Sequence, residues 1–391
     1  MVKALKKIFH AIGDYFVNTD KVLWLIVICC TVYSSLLLSS VERAGGSFVK
    51  TQIMAAVIGI LIAIIISVID YEYIARYWWA LVIISIGLFV SVFLFGITVS
   101  GTDDTAWIRL PGGLTFQPSE LIKIFFIVTF AKHLEILKSK DKLKTFWGVI
   151  SLLIHVGIPV LIIHIQGDDG SALIFLFIML VMTVVAGVQA RYFIVLGAAL
   201  TIALPLLWNF FLNDEHRNRI QALFDLDSNA LTNYGYQQYQ SKVSIASGEL
   251  TGYGLGQGYR TGVGFVPEQE NDFIFSVAGE ELGFIGTILI LVLLLALIAK
   301  VFFIGIDARD NLGSFIAFGM FGLLASQTII NIGMVIGLLP VIGITLPFFS
   351  AGGTSSMCLY FGIGLVQSVH MHKQNNEVIK LSYTRAERIK I

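Results

Sequence analysis

Residues 266–286 read VPEQENDFIFSVAGEELGFIG. Here a long polar segment rich in Gly, Tyr and Gln gives way to an apolar run that continues to about residue 303. A membrane-spanning helix needs roughly 20 mostly apolar residues, so this run is long enough to cross a bilayer. Asp272 stands at the seam, and Glu280 and Glu281 follow it within the run. At about 1.5 Å per residue the two glutamates lie roughly 12–13 Å along the helix, where an ionisable side chain is a functional hypothesis by default. Helical phase puts Glu280 about 80° from Asp272 and Glu281 about 180° away. Glu280 is therefore the better neighbour, and Glu281 is left to pair with another helix. Asp272 itself has two readings, a helix N-cap or a working carboxylate at a membrane boundary.

The rest of the chain shares this character. Of 391 residues, 56% are hydrophobic and 13% charged, with a mean hydropathy of +0.83, whereas about a quarter of the residues in a soluble domain are charged. The expectation is an all-α integral membrane protein with ten spans, at about 22–40, 51–69, 78–98, 119–137, 147–165, 171–189, 192–212, 272–303, 312–338 and 351–370. Residues 1–391 read as one polytopic domain, without an internal repeat or a linker to a soluble unit. Cys29, Cys30 and Cys358 lie in apolar runs and read as small packers, with no disulfide framework. No glycine-rich nucleotide fingerprint follows a strand, and no nucleic-acid partner is expected.

An even number of spans puts both termini on one side. Eighteen of the 26 Lys and Arg fall on that side, seven on the other, and Lys123 inside a span. By the positive-inside rule both termini are cytoplasmic. The cytoplasmic loops are short, with simple clusters such as KSKDKLK (138–144), which reads as a topology signal solvated among anionic headgroups. The outer face carries two elaborate segments, 100–119 and about 213–271. The second opens with DEHRNRIQALF (214–224), a short interfacial helix, and then runs on with no secondary structure expected; loops of that length are usually functional or disordered. Any chemistry is expected on this outer face.

Three further stretches carry candidate residues. In FQPSELIKI (116–124), Pro118 and Glu120 make a good helix start. Lys123, one turn into an apolar span, needs a partner, and the i to i+3 spacing supplies Glu120. In QGDDGSAL (166–173), adjacent Asp168 and Asp169 cannot both point at one target, so if one is functional the other is solvated or caps the sixth span. NIGMVIGLLPVIGITLPFFSAGGTSS (331–356) reads either as helix breaking plus small-residue packing or as irregular backbone lining a cavity, with N–H groups suited to an anionic headgroup.

FQPSELIK, QGDDGSAL, LTGYGLGQG, PEQENDFIFSVAGEELGFIG and the 331–356 stretch, in that order over ten spans, closely resemble the SEDS family (shape, elongation, division, sporulation), which comprises the RodA, FtsW and SpoVE types, with RodA the nearest in overall likeness. The resemblance implies a peptidoglycan glycosyltransferase that polymerises lipid II at the outer leaflet, releases polyprenyl pyrophosphate and works with a class B penicillin-binding protein among membrane lipids. It implies that Asp272 is the family's essential acidic residue and that Glu120, Lys123 and Asp168 line its cavity. Trp107 is retained before the Gln-Pro-Ser-Glu motif, while Ala106 stands where the family has arginine, with Arg109 nearby. Gly167, Asp169 and Ala351 stand where proline, an apolar residue and tyrosine are usual.

On that footing Asp272 is the expected general base. Glu280 is a supporting neighbour, and Lys123 and one or more of Arg109, Arg217, Arg219 and Arg260 are candidate contacts of the leaving pyrophosphate. Tyr234, Tyr236 and Tyr239 are candidates for stacking on sugars, with loop packing the alternative. A divalent cation, magnesium or manganese, is an alternative neutraliser of charge, although no ligand spacing marks a site. The competing readings are a flippase for the lipid-linked precursor, which would also use intramembrane charges, the division or sporulation paralogue, and a scaffold that recruits wall enzymes.

Overall fold

The structure is a computed structural model that describes residues 15, 17–41, 48–98, 105–109, 115–206, 208–209, 214–224 and 233–373. Both chain ends, much of the 100–119 segment and residues 225–232 of the long loop lie outside the described residues. Ten helices take the places of the ten expected spans: α1 Lys21–Val41, α2 Phe48–Val68, α4 Trp78–Phe95, α5 Pro118–Ser139, α6 Phe146–Ile165, α7 Asp169–Ala186, α8 Ala190–Leu206, α12 Ile274–Ile306, α13 Asn311–Val335 and α14 Gly353–Met371. Between them lie α3 Tyr71–Arg76 before α4, and α9 Asp214–Gln221, α10 Asn233–Ser247 and α11 Tyr259–Val263 in the long segment. Among the described residues, seven helices are long and apolar enough to cross a membrane. Of the other three, α8 is apolar but shorter, while α5 and α14 carry charged or small polar residues and are buried along most of their length.

Two features depart from expectation. Among its described residues the segment 213–271 holds three helices, and the longest, α10, buries Gln238, Ser241 and Ser244 on the bundle. Gln238 Nε2 donates to the Met334 and Leu339 carbonyls at 3.0 and 2.6 Å, and Ser241 Oγ to Val335 O at 2.9 Å. That stretch has no apolar stripe, so only these tertiary contacts show it as a helix. The second departure is a small antiparallel sheet, β1 Gly96–Ile97, β2 Trp107–Arg109 and β3 Thr115–Phe116, which ties the end of α4 to the start of α5.

The interior is organised around α13, which packs against α7, α12, α5 and α14, while α2 lies along α14. Small residues let the α2 and α14 backbones approach: a Cβ on Gly59 would sit 2.6 Å from the Tyr360 ring, and one on Gly364 would sit 2.8 Å from the Ala63 backbone. Charge staples close the end of the bundle remote from the long segment. Asp20 takes Lys300 at 2.7 Å, and Arg309 joins Asp70, Glu72 and Asp310 at 3.3, 2.5 and 3.2 Å.

The long helix α12 is broken at Gly283 (φ 63°, ψ −158°), a conformation essentially confined to glycine. Residues 248–254 enter the break and supply the hydrogen bonds the helix loses. Tyr253 N and Gly254 N donate to the Glu280 and Glu281 carbonyls at 3.1 and 2.8 Å, while Phe284 N and Ile285 N donate to the Glu249 and Leu250 carbonyls at 2.9 and 3.2 Å. A Cβ on Gly283 would meet Gly252 N at 2.5 Å. Gly283→Ala is therefore expected to cost roughly 3 kcal/mol, read as a lowered thermal midpoint of the purified protein in detergent.

Candidate functional site at the loop end of the bundle

Asp272 does not cap α12. The N-cap is Phe273, with no side-chain capping bond. Asp272 sits one residue before it in a turn where the Asn271, Asp272 and Phe273 amides all donate to Glu268 O at 3.1, 3.0 and 3.3 Å. Its carboxylate accepts no hydrogen bond among the described residues, and Oδ2 faces Gly343, where an added Cβ would lie 3.7 Å away. The side chain is half-buried. Desolvation, reinforced by the nearby Glu268 and Glu270 charges, pushes its pKa up to about 7.

The backbone around Asp272 is held from two directions. The buried Asn331 side chain on α13 donates from Nδ2 to Asp272 O at 2.8 Å and to Ile344 O at 2.6 Å. Both partners are carbonyls, which fixes the amide orientation, since only the NH2 group can serve them. From the other side Ser350 Oγ donates to Asn271 O, and Ala351 N donates to Glu270 O at 2.7 Å. Asn331 and Ser350 were not singled out as site residues from the sequence; a lone Asn inside an apolar span is the available signal.

Residues 342–355 then link Asp272 to the other expected groups. The Ile342 carbonyl packs on Gly170, where a Cβ would meet it at 2.5 Å, and Gly170 follows the Asp168–Asp169 pair. Ser355 Oγ reaches Glu120 Oε2 at 3.4 Å. Ser350 and Ser355 are five residues apart, so their anchor points on the Asp272 turn and on Glu120 are separated by at most roughly 18 Å of extended chain. Glu120 and Lys123 form a buried ion pair, with Nζ 2.6 Å from Oε1. Asp168 does not join that pair. It caps α7, accepting from Ser171 N at 3.0 Å, and its other oxygen takes Gln117 Nε2 at 2.8 Å and Ser119 Oγ at 3.1 Å, binding the start of α5 to the start of α7. Asp169 pairs with His164 instead.

The remaining candidates are dispersed. Glu280 is fully buried and is turned toward α11, not toward Asp272: it accepts from Arg260 N, Thr261 N and Thr261 Oγ1 at 2.7, 2.8 and 2.7 Å. Glu281 accepts from Gly256 N at 2.9 Å. The supporting role expected of Glu280 beside Asp272 is thus replaced by a capping role. Asp272 lies before the N-cap, in the turn that precedes α12, so helical phase does not carry from it to Glu280, and three donors from Arg260 and Thr261 hold the Glu280 carboxylate. Arg260 is engaged by Ser244 Oγ at 3.1 Å, by Gln240 Oε1 and by the Phe265 ring. Arg217 donates to the Trp208 and Asn209 carbonyls at 2.9 and 3.1 Å. Arg219 donates to Val341 O at 3.0 Å, beside the segment that faces Asp272. The half-buried Trp107 and exposed Arg109 lie in β2, near the Asp168 turn through Thr105 N and Gln166 O at 3.2 Å. Tyr236 is half-buried and Tyr239 exposed, while the Tyr234 side chain lies outside the described residues. Among the described residues no group of three or more His, Cys, Asp or Glu could hold a metal ion, so no step is assigned to one.

This is a multi-pass helical membrane protein with a half-buried carboxylate of raised pKa, a buried ion pair and an arginine gathered at one end of the bundle. The family model FtsW/RodA/SpoVE, described as "Cell cycle protein", matches residues 18–375, and the chain belongs to that family. It is similar to the probable peptidoglycan glycosyltransferase FtsW of Geobacter sulfurreducens (strain DL-1 / KN400), 34% identical over 337 residues, 86% of this chain and 88% of the relative. It is also similar to the peptidoglycan glycosyltransferase MrdB of Escherichia coli (strain K12), 33% identical over 361 residues, 92% and 95% of the two chains. Among solved structures it resembles a chain of a structure described as coordination of polymerization and crosslinking by a peptidoglycan synthase complex, with TM-score 0.77, 27% identity and 91% and 98% coverage. It also resembles the rod shape determining protein RodA of Thermus thermophilus, with TM-score 0.66, 25% identity and 91% and 97% coverage.

Proposed function

We propose that this protein is a peptidoglycan glycosyltransferase that polymerises lipid II into glycan strands at the outer leaflet of the bacterial cell membrane, with both termini cytoplasmic. The observation that carries the reading is Asp272: a carboxylate with no described hydrogen-bond partner, on a turn fixed by Asn331 and Ser350, with a pKa of about 7. A general base works best when its pKa lies near the operating pH. In the proposed step the acceptor 4-hydroxyl gives its proton to Asp272 as its oxygen bonds to the donor's anomeric carbon. The bond from that carbon to the pyrophosphate oxygen breaks from the opposite face, inverting the centre and releasing polyprenyl pyrophosphate. Lys123 and Arg219 are the cations best placed to meet the leaving group's charge. The relatives named above are peptidoglycan glycosyltransferases of both FtsW and MrdB names; the elongation role is the paralogue proposed, with a class B penicillin-binding protein as partner.

The test is reconstitution of the purified protein and that partner with lipid II. Glycan polymer is the expected product, and translocation without polymer would replace the enzyme by a flippase. Localisation at the side wall is expected for the elongation role, and at the septum for the division role. Asn331→Leu removes the hydrogen bonds from this side chain to Asp272 O and Ile344 O while keeping a similar volume. It is expected to lower kcat by about 10²-fold, the scale of a displaced catalytic group, with a much smaller change in KM.

A further inference from the structure

One crevice lies far from this site, in the half of the bundle that carries the charge staples. It is a cavity of about 220 Å³ between the first half of α6, the last turns of α7 and the first half of α8, lined by Phe146, Leu153, Met179, Thr183, Val195 and Ala199 among others. The wall is almost wholly apolar, and α8 buries none of its own residues, so this helix stands off its neighbours. An apolar cavity of roughly 150 Å³ already accepts a benzene-sized guest.

The rim has a chemistry of its own. Arg191 Nη2 donates to Lys144 O at 3.2 Å and Tyr192 OH donates to the same carbonyl at 3.1 Å. The Arg191 guanidinium lies 4.8 Å from the centre of the Tyr192 ring. The 3-10 turn Lys142–Lys144 leads directly into α6, so Lys142, Lys144 and Arg191 gather at one mouth of the crevice. Two other lysines of the same basic run are occupied: Lys132 pairs with Glu135 at 2.5 Å and Lys138 donates to Asn311 Oδ1 at 2.9 Å. Lys142, Lys144 and Arg191 have no carboxylate partner among the described residues. From 142 to 167 and from 170 to 213 the sequence has no Asp or Glu, and Asp141, exposed at the start of the turn, is the nearest acid along the chain. Trp147, 76% exposed, adds an aromatic side chain of the kind that settles at the headgroup level.

We propose that this crevice binds an anionic phospholipid, one acyl chain entering between α6, α7 and α8 and the phosphate held by Lys142, Lys144 and Arg191. Charge complementarity selects the occupant: a zwitterionic lipid fills the apolar part equally well but gains nothing net from three cations, whereas basic pockets between membrane helices favour anionic headgroups. The site is separate from the lipid-linked substrate, because Asp272 lies at the opposite end of the bundle. It gives the basic run a binding role in addition to its role in topology.

Native mass spectrometry of the purified full chain, equilibrated with phosphatidylglycerol and phosphatidylethanolamine of identical acyl chains in equal amounts, tests the assignment. The wild type is expected to retain phosphatidylglycerol preferentially. Lys142→Gln/Lys144→Gln/Arg191→Gln should erase the preference, by about fivefold for each charge removed, while still retaining lipid. Ala199→Phe, which fills the crevice, should lower retention of both lipids with the charges intact. Equal retention of the two lipids by the wild type, or an unchanged preference in the triple variant, would overturn the proposal. So would a monodisperse wild type that retains neither, which would point to a partner's membrane helix as the occupant.

Discussion

Asp272→Asn is expected to lower glycan polymerisation by about 10²–10⁴-fold, the usual contribution of a positioned general base, while the protein folds and still binds lipid II. The wild-type rate should rise with pH, reach half its plateau near 7 and stay flat above, because the base works only when deprotonated and its carboxyl is held at about 7. Stability should move the other way. Relative to an ordinary value of 3.8, a carboxyl raised to about 7 in the folded state contributes stability below pH 4 that is lost as the pH rises through 7. Asp272→Asn should therefore be more thermostable than the wild type at pH 8, by on the order of 2–4 kcal/mol, and equal to it at pH 4. A variant that is inactive and also less stable at pH 8 would mark Asp272 as structural.

The second large effect is expected at the buried pair. Lys123→Met leaves the Glu120 carboxylate buried without its cation, which costs about 3–5 kcal/mol. Glu120→Gln/Lys123→Met removes both charges and should return to within about 1–2 kcal/mol of the wild type, since a buried ion pair adds little beyond a well-packed replacement. Thermal unfolding of the three proteins measures this. Polymerisation by the double variant then separates two roles for the lysine. If Lys123 meets the leaving pyrophosphate, the double variant is stable and inactive; if the pair only joins α5 to its neighbours, the double variant is stable and active.

The glutamates at 280 and 281 show where local reading stops. Their depth in an apolar run makes them conspicuous, and a helix that already included Asp272 would turn Glu280 toward it. The helix begins only after Asp272, at Ile274, so that phase does not apply; the Glu281 carboxylate takes Gly256 N within GYGLGQG, and the Glu280 carboxylate takes Arg260 N and Thr261 N just after it. The glycines of that stretch also gain a cause: a Cβ on Gly252 would lie 2.2 Å from the Glu281 carbonyl oxygen. Asp168 differs for another reason, since two of its donors, Gln117 and Ser119, come from the start of α5, about 50 residues away in sequence.

By itself, the sequence determined the membrane class, the number and approximate limits of the spans, and the Glu120–Lys123 pair. Each follows from a property local to the chain, either the length of an apolar run or the i to i+3 spacing on one helix. Only the tertiary structure decided which carboxylates stay unbonded. That outcome depends on where distant donors end up: Asn331 and Ser350 bond the backbone around Asp272 and leave its side chain without a described partner, while Ser119, Gln117 and the Gly256–Thr261 loop claim Asp168, Glu281 and Glu280. A carboxylate at a helix start looks the same in sequence whether or not a donor reaches it from another element.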